Sequence, residues 1–204
     1  MANIVGPKGL SPVRCLNGAP WTGSPNMYYI ASTDTNEMGP GDAVKSAAGA
    51  AAADANGVPG ITKALGTDIM RGVIVGFLVA TPNNPSLTGV NLDLTVQNIP
   101  AVKTKAYYAL VIDDPQVVFE VQDDGAVALS ASSVGLNANL TVTNPTSPQQ
   151  NSASSLATAS VATTATLPLK ILGLSQKPNT AFGVYATWLV KINQHELQGG
   201  TAGV

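Results

Sequence analysis

Glycine and proline set the limits on this fold. Twenty glycines and fourteen prolines are spread over 204 residues, which interrupts the chain too often for long helices. Between the breaks lie short runs with strand character. Met27–Ala31 is aromatic and β-branched, and Gly39-Pro40-Gly41-Asp42 reads as a turn into Ala43-Val44. Val73 to Ala80 and Tyr107 to Ile112 are apolar throughout, as strands buried on both faces are. Val90 to Gln97 and Leu136 to Thr143 alternate apolar with polar, so Asn137 and Asn139 are expected on an outer face. In Gln116 to Gln122 the same rule puts Val117, Phe119 and Val121 inward and Glu120 outward. Val184, Ala186, Trp188, Val190 and Ile192 line one face of a last strand. The Ala-rich stretch 46–57 is expected as a surface loop, as is 81–86. No βαβ alternation, heptad or repeat of 20–50 residues is visible.

The expected fold is therefore all-β, a sandwich or barrel of jelly-roll-like kind, with an extended Pro/Gly-rich N-terminal arm. The arm is residues 1–26, where Pro7, Pro12, Pro20 and Pro25 bar a central strand. The β-rich body is 27–197, one arrangement being two packed β subdomains meeting near 98–112, and 198–204 is a flexible tail.

Charge narrows the function. Only 11% of residues are charged and the net charge is -2, so no basic surface can follow a phosphate backbone or an anionic membrane. Residues 126–169 hold no charged side chain, yet valine and leucine recur at strand spacing, which reads as ordered β structure. The start of the sequence has neither a basic run nor an apolar stretch, so no signal peptide is expected and the protein is expected to stay in a cytoplasm.

Catalytic and metal signatures are sparse. His195 is the only histidine and Cys15 the only cysteine, which closes cupin-like and His/Cys zinc sites and any internal disulfide. No G-x-S-x-G, P-loop or G-x-G-x-x-G occurs. His195 reads as a strand-end residue bonded to backbone, and Cys15 as a packed thiol. Asp113, Asp114, Glu120, Asp123 and Asp124 could hold a calcium ion, but Asp113-Asp114-Pro115 and Asp123-Asp124-Gly125 read better as turns in which aspartate bonds its own backbone. Trp188 reads as core. Arg14 and Trp21 are the candidate contact residues, since a tryptophan on an irregular arm needs a surface to cover its ring.

Several segments resemble, in order from about residue 28 to 196, the cement or decoration proteins encoded beside the major capsid protein of tailed bacteriophages. They are Tyr29-Ile30-Ala31, Pro40–Val44, Gly72–Phe77, Tyr108–Pro115 running into Phe119–Gln122, Val134–Ala138 and Val190–His195. The resemblance implies a structural virion protein that binds the capsid exterior, assembled in a host cytoplasm. It implies the major capsid protein and further copies of this chain, as a trimer or dimer, as partners. It implies no enzyme activity, cofactor, nucleic acid or membrane. Other expectations are a tail or fibre component, or a non-viral β-sandwich binding module.

Overall fold

The computed structural model describes residues 3–78, 97–145 and 151–198. The chain is all-β, with two antiparallel sheets. One contains β2 (Asn26–Ile30), β3 (Ala43–Ser46), β4 (Ile61–Lys63), β5 (Gly72–Leu78) and β6 (Tyr107–Ile112). The other contains β7 (Val117–Gln122), β8 (Asn137–Thr141), β9 (Ser155–Ala162), β10 (Leu169–Leu174) and β11 (Thr187–Ile192), plus β1 (Ser11–Cys15) at one edge. The expectations for Val90–Gln97, for the loop at 81–86 and for the tail beyond 198 lie outside the described residues, save Gln97.

The two sheets repeat one topology. The first runs β2-β6-β5-β3-β4, and the second, after β1, runs β7-β11-β10-β8-β9. Each curls until the strands at the two ends of that order, β2 and β4 or β7 and β9, come together at a parallel bridge, Tyr29 with Gly60 and Asp123 with Leu156. The likeness extends to single residues. β5 bulges against β6 between Ile74 and Gly76, and β10 bulges against β11 between Ile171 and Gly173. Gly41 and Gly135 both adopt positive φ, 92° and 86°, which favours glycine. Gly41 N donates to Ile74 O at 2.8 Å, and Gly135 N to Ile171 O at 2.9 Å. Ile74 N returns to Asp42 O at 3.0 Å, and Ile171 N to Leu136 O at 2.9 Å.

Each curled sheet encloses its own core. In the first half Tyr28, Ile30, Val44, Ile61, Phe77 and Val111 meet, closed over by Met38 and Ile99 from the connections. In the second, Phe119, Val121, Leu140, Leu156, Ile171 and Trp188 do the same. Ala43, Val73 and Ile112 alternate with inward residues of the first half, and they join the second cluster. The outer face of one half is thus packed on the other.

Several expectations are corrected. The 1–26 stretch is not wholly an arm: Ser11–Cys15 pairs antiparallel with β7, with an irregularity between Pro12 and Arg14. An edge position tolerates Pro12, which has no N–H to give a ladder. Leu10 is 1% exposed and belongs to the second core. Glu120 and Asn137 are buried rather than outward. Glu120 is held by Lys177 and by Ser175 Oγ at 2.8 Å, and Asn137 donates to Thr164 O at 2.9 Å. Asn137 occupies the register of Ala43, a face covered in both halves. Val184 is exposed, because β11 starts only at Thr187.

Candidate functional site

The N-terminal residues build a hairpin against the second half. β1 turns at Asn17-Gly18, where Asn17 Oδ1 accepts from Ala19 N at 3.0 Å and Gly18 takes φ 87°. The chain returns with Cys15 N donating to Ala19 O at 2.8 Å and a bridge between Arg14 and Pro20. Arg14 and Trp21 therefore sit on opposite arms of one hairpin. Arg14 is half-buried, donates to Cys15 O at 3.3 Å, and has no ion pair among the described residues. Trp21 packs half-buried against its own core and lines a hollow of about 300 Å³ with Lys8, Pro12, Pro40 and Val75.

A second hollow of about 400 Å³ lies beside it, between the first residues and β7, lined by Val5, Lys8, Glu120, Gln122 and Lys177. Side chains hold this segment in place. Asn3 donates to Ala181 O and Val184 O at 3.0 and 2.9 Å, and Gln122 Nε2 donates to Ile4 O at 2.8 Å. Gly6 N donates back to Gln122 Oε1 at 2.7 Å. Ile4 and Val5 remain 78% and 60% exposed, in a region that also exposes Phe182 and Val184.

The acidic residues do not converge. Asp114, Asp123 and Asp124 accept from the backbone N of Gln116, Gly125 and Ala126, two residues ahead, at 2.8, 3.0 and 3.1 Å. That is the expected turn chemistry. Among the described residues no three His, Cys, Asp or Glu side chains gather as metal ligands. Asp123 also accepts from Trp188 Nε1 at 3.0 Å, so the core tryptophan is anchored at its polar end. His195 accepts from Leu197 N at 3.1 Å through Nδ1, as expected of a strand-end residue. Its Nε2 is buried and unpartnered, and burial holds the ring below its ordinary pKa. Cys15 is half-buried against the core.

Two polar networks had no signal in the sequence, because each is drawn from segments far apart in the chain. In the first, Arg71 Nε donates to Tyr28 OH at 2.9 Å, and Tyr28 donates to Asp113 at 2.5 Å. Burial, aided by Asp113, pushes the phenol up to about 12, so it stays protonated. Arg71 also faces Glu196 at 3.5 Å, which accepts from Ser46 N at 2.7 Å. The second lies where the halves meet. Lys63 Nζ is 3.1 Å from Asp42 Oδ2 and donates to Glu37 O at 3.0 Å and Asn144 Oδ1 at 3.1 Å. Asp42 also accepts from Gly39 N at 2.9 Å, Ser152 Oγ at 2.6 Å and Ser154 Oγ at 3.3 Å.

No protein-family description, curated protein or solved structure matches this chain.

Proposed function

We propose that the protein is a structural virion component that binds the outer surface of an assembled phage capsid and stabilises it by bridging major capsid protein subunits. The supporting observation is the uncharged stretch 126–169. Its exposed members include Ala126, Val127, Ala128, Ser130, Ser132 and Val134. A partner can cover such a surface without stripping water from ions, whose desolvation is costly. The segment resemblance to cement proteins supplies the partner class. Many copies, each making modest contacts on a lattice, add up to a durable clamp. In this reading the chain acts as a homo-oligomer on the capsid exterior after assembly in the host cytoplasm, and it carries out no catalytic step. Arg14 and Trp21 remain the proposed contacts, with Trp21 offering the face of its ring that the core leaves open.

Quantitative mass spectrometry of purified particles tests this directly. A ratio to the major capsid protein of one to one, or one to a few, is expected. A handful of copies per particle would assign the chain to a tail or fibre, and absence from particles would leave a non-viral binding module. Within the capsid reading, V127E and V134E should release the protein from particles without altering its far-ultraviolet spectrum.

A further inference from the structure

We propose that Lys63 and Asn144 are the two ends of an intramolecular amide cross-link joining the halves of the chain. Lys63 ends β4 in the first half, and Asn144 lies just beyond β8 in the second. Among the described residues five ion pairs are formed, and Lys63 is the one cation of these that also touches a side-chain carboxamide. Its amine donates to Asn144 Oδ1 at 3.1 Å, which holds it beside the carboxamide whose carbon it would attack. The Lys63 side chain is 6% exposed and that of Asp42 0%, so both charges of this pair sit out of water. Asp42 Oδ2 is 3.1 Å from the amine, within reach to take one of its protons and free a lone pair on nitrogen. Gly39 N, Ser152 Oγ and Ser154 Oγ fix Asp42 in the position that a proton carrier needs.

The step balances without any added reagent. Asp42 takes a proton from the Lys63 ammonium, and the amine attacks Asn144 Cγ to form a new C–N bond. The proton then passes from Asp42 to the departing amide nitrogen as the old C–N bond breaks. The second proton on the attacking nitrogen also leaves with that group, so an ammonium ion departs and Asp42 is unchanged. Asn144 is exposed, which gives the leaving group a path to solvent. The inference stands apart from any capsid role.

The test is the intact mass of the complete, denatured protein, followed by tryptic mapping. The expected mass is lower than the encoded one by a single ammonia, about 17 Da. The digest should contain peptide 46–71 joined to peptide 106–170, uncleaved after Lys63. The full encoded mass would overturn the proposal and leave Lys63–Asp42 as an ion pair alone. So would an ammonia loss mapped to Asn56-Gly57 as a cyclic imide, with the two peptides separate. N144A and K63M should each restore the encoded mass, and D42N should slow the loss during maturation.

Discussion

Asp123 shows how much one buried carboxylate can organise. It is 2% exposed and accepts from Gly125 N, Tyr185 N, Ala186 N and Trp188 Nε1. In D123A all four lose their acceptor, the Ala186 and Trp188 donors in buried positions, and a buried unsatisfied donor costs about 1–3 kcal/mol. D123A should therefore lower the unfolding free energy by at least about 3 kcal/mol in urea titrations, with D123N falling between it and the native chain. Gly9 is constrained by space. An added Cβ would meet Gly41 O at 2.3 Å and Ser152 Cβ at 2.6 Å, so G9A should be strongly destabilising. His195 supplies a pH dependence. Burial lowers its pKa in the fold, so the unfolded chain binds the proton more readily. Stability should then fall as pH drops below about 6.5, by at most about 1.4 kcal/mol per pH unit. Because His195 is the only histidine, H195N should flatten that slope between neutrality and the carboxylate range. An unchanged slope would mean that carboxylates carry it.

Among the elements, β1 has the largest consequence for experiments on the N-terminus. Its pairing with β7 and the burial of Leu10 mean that removing residues 1–26 takes away a strand as well as an arm. The truncated protein should melt well below the full chain and self-associate, because β7 would show an unpaired edge. Loss of particle binding by that truncation would report unfolding as readily as loss of the Arg14 and Trp21 contacts, so surface substitutions are the cleaner probe. β1 was illegible in the sequence because Pro12 argues against a strand unless an edge is known to be available. β4 has only three residues and offered no apolar period, and β9 was legible only as part of an ordered β stretch, because Leu156 and Val161 lie among small side chains that mark no bounds. β5, β6 and β11 were legible because a strand buried on one or both faces declares itself in its apolar residues. Glu120 and Asn137 were misplaced because alternation assigns a face, not what covers that face. The Lys63–Asn144 contact spans 81 positions, a separation over which spacing carries no information.

At the scale of the molecule, the repeated topology escaped the sequence because few matched positions keep their residue. Ile74 and Ile171, Gly76 and Gly173, and Val111 and Val190 do so, at bulges and inward sites that constrain side chains most. The halves share one core cluster, in which Ala43, Val73 and Ile112 of the first meet Leu140, Ile171 and Val190 of the second. Calorimetry should accordingly give one transition, with van't Hoff and calorimetric enthalpies equal. Two resolved transitions would show that the halves unfold separately. β1 also imposes an order in time. It leaves the ribosome ahead of the other described strands, but its partner β7 begins only at Val117, so it must wait for about a hundred residues before it can pair. The first half can curl and close while that segment is still unpaired. In pulse-labelled refolding the amides of β1 should gain protection after those of β5 and β6, so that a strand made before them is placed after them.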